Sequence, residues 1–301
     1  MNTIIVSAQA DLGINVDGDQ QGSLQLVNDV KGFFKGEIKE LVEPNVIKSR
    51  NLSDRRKNEY ELNRYNTELY EKELELKNNN ENFIITIGGD ETVSIPSALS
   101  SKQAKNDVGL IYFTGASLFD TFETTQNGNL KDLTIASITG YKNKEMRYFH
   151  EDPIPVARSV IIGCREMTQE QKENLRYSGI QYFTAQDIKE QGIEEVMEQA
   201  FEIANFKTKG VHIVFSMTFI DPEYAPAVSE PKFDGLDESV VTSINEIITD
   251  HIDEVCSYDL VAFNPLRDEE RKTEQIAVNI LAQILNAVNY KSQYGKIERK
   301  Y

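Results

Sequence analysis

The chain has 301 residues, 40% hydrophobic and 27% charged, the proportions of an ordinary soluble globular protein. Its formal net charge of −17 excludes a nucleic-acid-binding surface, which needs clustered lysine and arginine. Its apolar runs all fall short of the ~20 residues a membrane span needs, so no membrane partner is expected.

Met1-Asn2-Thr3 passes directly into the strand-like Ile4–Val6, so no signal peptide with a charged leader and an apolar core is expected. Cys164 and Cys256 lie far apart in apolar surroundings. Buried thiols rather than a disulfide, and a cytoplasmic location, are therefore expected. Ser53–Lys77 is the most helical stretch by pattern. Ser53 or Asp54 can cap it, Leu62, Tyr65, Leu69 and Leu76 form an apolar stripe, and Asn78-Asn79-Asn80 ends it.

Phe83–Ile87 is the next strand and runs into Gly88-Gly89-Asp90-Glu91. Glycines there let the backbone turn at the strand's carboxyl end, where open α/β sheets place their sites. A helix is expected over Ser97–Ala104 and a strand over Val108–Phe113. After it come Thr114-Gly115-Ala116-Ser117-Leu118-Phe119-Asp120-Thr121 and, further on, Asn127-Gly128-Asn129. Strands at Val160–Ile162 and Gln181–Phe183 flank a helix at Gln169–Arg176, and Asp187–Ile203 is helical. The strand Val211–Phe215 leads into Ser216-Met217-Thr218 and Asp221-Pro222-Glu223-Tyr224-Ala225-Pro226. A helix over Glu238–Val255, a strand over Leu260–Phe263 and a helix over Glu269–Val288 complete the pattern. The strands are near-continuously apolar and alternate with helices, which predicts a doubly wound parallel sheet covered on both faces. No repeat or Pro/Gly-rich linker divides the chain, so one domain over residues 1–301 is expected.

Taken together, these segments resemble the arginase/agmatinase/formiminoglutamase (ureohydrolase) family. Gly88-Gly89-Asp90-Glu91 is similar to the family's G-G-D-H. Ile111 to Asn129 follows the pattern strand-D-A-H-x-D-x-N-T-x-E-T-x-x-S-G-N and keeps Thr121, Glu123, Thr124, Gly128 and Asn129. Val211 to Pro226 follows S-x-D-x-D-x-x-D-P-x-x-A-P and keeps Asp221-Pro222 and Ala225-Pro226. The resemblance runs from Ala10-Asp11-Leu12-Gly13 to Asn264-Pro265. It implies a three-layer α/β/α sandwich with an eight-stranded, mainly parallel sheet, assembled as a homo-oligomer, a trimer or hexamer.

The resemblance also implies a pair of manganese ions that generate hydroxide, held by four aspartates and two histidines. At those positions this chain carries Glu91, Thr114, Ala116, Leu118, Ser216 and Thr218. Ala116 and Leu118 have no donor atom, and none of His150, His212 and His251 falls on a ligand position. His212, on its strand, is expected to be a packed core histidine. The family's catalytic histidine falls on Lys131, the glutamate that anchors the guanidinium falls on Ala262, and Glu230-Pro231 replaces T-P. No cofactor is therefore expected, although manganese belongs to the family.

Two readings stay open. One is a pseudoenzyme with a structural, regulatory or small-molecule-binding role. The other is a hydrolase of altered chemistry, acting on a guanidino, amidino or other C–N substrate, with at most one metal on Asp90, Glu91 and Asp120. The polar groups expected around the cleft are Asp90, Glu91, Asp120, Asn127, Asn129, Lys131, Asp221 and Glu230. In the family, the positions of Asn127 and Asn129 bind the amino-acid end of the substrate. The Lys131 ammonium is expected to replace part of the missing metal charge by pairing with Glu91 or Glu230.

Overall fold

The computed structural model describes residues 2–42, 48, 54–147, 149–150 and 152–294. Eight strands form one all-parallel sheet: β1 (Asn2–Gln9), β2 (Glu37–Val42), β3 (Asn82–Gly88), β4 (Gly109–Phe113), β5 (Ser159–Cys164), β6 (Gln181–Thr184), β7 (Val211–Ser216) and β8 (Val255–Val261). Their order across the sheet is β2-β1-β3-β8-β7-β4-β5-β6. The interior strands are buried along almost their whole length, as expected where helices cover both faces.

The period of two along each strand sorts its side chains into two cores. Ile5, Ile85, Ile111, Ile213 and Phe215 point into the core shared with α1 (Asp19–Val30), α6 (Ala185–Gln191), α7 (Ile193–Asn205), α8 (Glu238–Asp250) and α9 (Lys272–Tyr294). Ile4, Ile84, Leu110, Tyr112 and Val214 point the other way, toward α2 (Glu59–Lys77), α3 (Ser94–Lys105), α4 (Thr134–Ile138) and α5 (Gln169–Ser178). The result is the three-layer α/β/α sandwich.

Several boundaries differ from the sequence pattern, each for a local reason. The helix expected from Ser53 begins at Glu59. Ser53 lies outside the described residues, and Asp54 accepts the Arg56 amide at 2.9 Å in a turn instead of capping the helix. The helix expected over Asp187–Ile203 is two helices. Gly192, at φ 88°, breaks it with a backbone conformation that side chains disfavour. The last strand begins at Val255 and leaves the sheet before Phe263. The last helix begins at Lys272 and runs on to Tyr294. β2 gave no apolar run because it is an edge strand with a half-exposed, charged sequence.

His212 is fully buried, as expected, inside a polar network under α3. Its Nε2 lies 3.0 Å from Asp259 Oδ2 and its Nδ1 2.9 Å from Ser101 Oγ. Asp259 Oδ1 accepts from Ser97 Oγ at 2.8 Å, and Lys77, bonded to Ser97 O at 2.8 Å, pairs with Glu73 at 2.5 Å. Both cysteines are free thiols.

The carboxyl ends of the central strands β3, β8, β7 and β4 lie side by side, and the segments leaving them build the candidate site. The turn after β3 depends on close backbone approach. A Cβ on Gly89 would stand 1.7 Å from the Ala10 carbonyl oxygen. Gly89→Ala is therefore expected to cost about 2 kcal/mol or more through forced backbone displacement. A urea unfolding midpoint equal to that of the parent would refute this.

Candidate functional site

Beyond β3, Asp90 is spent on its own turn. Its Oδ1 accepts the Thr92 amide at 2.7 Å and its Oδ2 accepts the Gly13 amide at 2.7 Å, tying the exit of β1 to the exit of β3. Glu91 follows, buried, and opens a chain of hydrogen bonds across three strand ends. Ser216 Oγ donates to Glu91 Oε1 at 3.1 Å, and Thr218 Oγ1 lies 2.8 Å from Ser216 Oγ and 3.4 Å from Thr114 Oγ1. The amides of Gly115 and Ala116 donate to Thr218 Oγ1 at 3.2 Å and Thr114 Oγ1 at 3.1 Å. Three hydroxyls and one carboxyl thus satisfy one another, as a buried polar group must be satisfied.

The remaining two of these positions carry no polar chemistry. Ala116 lines the cleft. Leu118 packs into the core beside Phe119, and its backbone stands at φ 48°.

Lys131 supplies the positive charge. Its side chain is 2% exposed, and its Nζ lies 2.9 Å from Glu230 Oε2 and 3.0 Å from Asp132 Oδ1. The pairing with Glu230 matches the sequence expectation, while Asp132 is an added partner. Burial opposes charging this lysine. Asp132, Glu230 and Glu91 outweigh burial and hold its ammonium well above the ordinary lysine range. Burial likewise pushes the Glu230 carboxyl up, and Lys131, with Lys232 and Asn129, more than reverses that, leaving it below its usual value. Glu91 stays raised, first by burial and then by Asp90 and Glu230.

A cleft of about 150 Å³ opens above this layer, lined in part by Ala116, Ser117, Asp120, Asn127, Asp132 and Glu230. Ser117 Oγ is buried and has no hydrogen-bond partner among the described residues. Asp120 accepts from Gln171 Nε2 at 2.7 Å and from Thr124 Oγ1 at 2.9 Å; burial nonetheless raises its carboxyl. Asn129 Nδ2 donates to Glu230 Oε1 at 2.6 Å, and its amide donates to Asn127 Oδ1 at 2.9 Å. Asp221 accepts the amides of Glu223 and Gly235 at 2.9 and 2.7 Å and shapes the loop outside the cleft. Asn127, Asn129, Lys131, Asp120 and Glu230 thus come together at the cleft, while Asp90 and Asp221 hold backbone.

Three contributors escaped the sequence reading. Arg165, just past β5, is buried and donates to the carbonyls of Gly163, Thr218 and Phe219 at 3.1 Å, of Lys232 at 2.7 Å and of Phe233 at 2.8 Å. Its place at a strand's carboxyl end was the available signal. Arg55 donates to the carbonyls of Glu123 and Thr125, both at 2.7 Å, across the outer rim. Asp19, the first residue of α1, looks in sequence like an ordinary helix-start acid. It is buried instead, and its carboxyl is pushed up to about 7. Burial is the main cause, Glu91 and Asp90 add to it, and Ser229 and Lys131 oppose it.

A pair of manganese ions does not fit this donor set. Two of the six positions have no donor atom, and three carry neutral hydroxyls already bonded to one another. No group of three or more His, Cys, Asp or Glu side chains among the described residues could hold a metal ion.

The parallel sheet, its two helical layers and the cleft at the central strand ends define a doubly wound α/β/α protein with a strand-end site. The chain belongs to the arginase family, whose family model matches residues 2–286. It is 31% identical to the arginase of Plasmodium berghei over 254 residues, which span 81% of this chain and 70% of that one. It is 26% identical to the arginase of Brevibacillus brevis over 204 residues, 67% and 68% of the two chains. Among solved structures, the Entamoeba histolytica arginase in complex with L-ornithine superposes with a TM-score of 0.86 at 20% identity, covering 94% of this chain and 98% of that one. The formimidoylglutamase of Bacillus subtilis gives a TM-score of 0.73 at 15% identity, with 95% and 86% covered.

The buried charges predict a graded mutational response. Lys131→Met leaves Glu230 and Asp132 without their cation and is expected to cost about 3 kcal/mol. Glu230→Gln is expected to cost less, because Asp132 still neutralises the ammonium. Urea unfolding reads both, and a Lys131→Met midpoint no lower than that of Glu230→Gln would contradict the ranking.

Proposed function

We propose that this chain is an arginase-fold pseudoenzyme without the binuclear manganese site, which binds a small molecule in the strand-end cleft in a regulatory or structural role. The observation that carries this reading is the set of groups at the six ligand positions. Four of them form a closed hydrogen-bonded chain from Glu91 to Thr114, and Ala116 and Leu118 offer nothing to a metal. Beside this chain the Lys131 ammonium pairs with Glu230 and Asp132.

Ala262 adds to this. It is buried, stands at φ 66° and places no anionic group where the family anchors a guanidinium. The cleft still offers donors and acceptors, among them the unpartnered Ser117 hydroxyl and Asn127. Ligand capture without hydrolysis is what such a lining supports. We place the protein in the cytoplasm as a single arginase-like unit, assembled as a trimer or hexamer. Sedimentation of a monomer at micromolar concentration would count against that assembly. No helix among the described residues is long and apolar enough to cross a membrane.

One observation favours a second reading, a hydrolase of altered chemistry on a C–N substrate. Glu91 is a buried carboxyl with a raised proton affinity that accepts the Ser216 hydroxyl, an arrangement of a base beside an O–H group.

Two measurements separate the readings. After incubation with manganese and desalting, elemental analysis is expected to find only trace metal. Arginine and agmatine are expected to release no urea above a protein-free control, since no metal-bound hydroxide is formed. Close to two retained equivalents of manganese, or urea release abolished by Glu91→Gln, would overturn the pseudoenzyme reading. L-ornithine is the first calorimetric probe for the cleft.

A further inference from the structure

We infer that the cleft takes a small organic cation, an aliphatic amine without a carboxylate, whose ammonium pairs with Asp120. The inference rests on the cleft being a ligand site and names the chemistry of the ligand.

The carboxylates of the cleft are paired with cations, with one exception. Glu230 and Asp132 hold Lys131 at 2.9 and 3.0 Å. Glu166 faces Lys232 at 3.6 Å and accepts the Phe233 amide at 2.9 Å. Asp120 has no ion pair among the described residues, and the groups that donate to its carboxyl, on Gln171 and Thr124, are neutral. A carboxylate offers about four lone-pair sites, so acceptor capacity remains. The residue is 4% exposed. Burial raises its proton affinity, Asp132 and Glu170 add to that, and Gln171 and Thr124 oppose it. A carboxylate so placed lacks a counter-charge, which a cation from solution supplies.

A second observation points into the same cleft. Ser117 lines it, is 1% exposed, and has a hydroxyl with no partner among the described residues. That hydroxyl accepts from an N–H group as readily as it donates.

The cleft's own cations are closed to an anionic ligand. Every N–H group of Arg165 is spent on a carbonyl: Nε on Phe233, Nη1 on Gly163 and Phe219, Nη2 on Thr218 and Lys232. Lys131 is held between Glu230 and Asp132, and Lys232 faces Glu166. A ligand carboxylate would therefore meet like charge and find no free fork to receive it. The resemblance assigns Asn127, on the same lining, to the amino-acid end of a substrate, and its pattern carries an asparagine where Asp120 stands. An acid in place of that neutral amide turns the preference from an amino acid to an amine.

Size narrows the class. The cleft holds about 150 Å³, and a cavity of that volume takes a ligand of roughly six non-hydrogen atoms. The diamine 1,4-diaminobutane has that size, and L-ornithine is the same diamine carrying a carboxylate.

Calorimetric titration of the full chain with these two compounds is the test. The diamine is expected to bind about tenfold tighter or more, because it brings no like charge to Asp120. Asp120→Asn is expected to weaken the diamine by about tenfold and to bring the two compounds level. The parent chain gives a second comparison that a folding defect in the variant cannot confuse: n-butylamine is expected to bind and butyrate is not. L-ornithine binding as tightly as the diamine, butyrate binding where n-butylamine does not, or an Asp120→Asn variant that keeps the diamine's advantage overturns this inference and leaves the cleft a ligand site. Failure of every one of these compounds to bind overturns the inference and the ligand site together.

Discussion

A buried ammonium set among carboxylates is the interaction on which the strand-end region depends. Desolvating a carboxylate is expensive, and a like charge beside it is worse. Glu91, Glu230 and Asp132 all face Lys131, and two of them reach it within ion-pair distance. Lysine suits the place because its stem lets a compact charge swing between acceptors and its three N–H groups point in different directions. On the proposed reading, this single positive charge stands where the resemblance implies two dications, with neutral hydroxyls at three of the positions it assigns to anionic or histidine ligands.

The hydroxyl chain expresses the same constraint in neutral form. Aspartates gathered around no metal would repel one another, whereas Ser216, Thr218 and Thr114 each act as donor and acceptor. They close the gap between β3, β7 and β4 without importing charge. The sheet beneath does not register the change, since its strands are held by ladders and two apolar cores away from the cleft. A fold of this kind fixes where a site lies and leaves open what the site does.

How far this was legible in sequence depended on the range of the interactions. The interior strands announced themselves as apolar runs, because a strand covered on both faces has no polar side to show. β2 did not, because half of its surface meets solvent. The break at Gly192 was missed because the helical spacing continues on either side of it, and one glycine inside a helical pattern is weak information. The six positions that the resemblance assigns to metal ligands could be named because motif register carries them, and the structure joins four of them, Glu91, Ser216, Thr218 and Thr114, in one hydrogen-bonded chain. Pairing of Lys131 with Glu230 followed from where both fall in that register. Asp132, Arg165 and Asp19 did not follow, because each acquires its role from residues distant in the chain. Asp19 meets Ser229 across 210 positions, a proximity that only the folded topology creates.

Arg165 carries a consequence for how the cleft can change over time. Its guanidinium grips carbonyl oxygens of Gly163, Thr218, Phe219, Lys232 and Phe233. Carbonyls belong to the main chain and are the same whatever side chain a residue carries. Replacing residues along those segments therefore leaves the clamp in place, and the contour of the cleft outlasts its lining. Shape is kept by backbone and chemistry by exchangeable side chains, so a cavity held this way can be emptied of one function and fitted for another without being rebuilt.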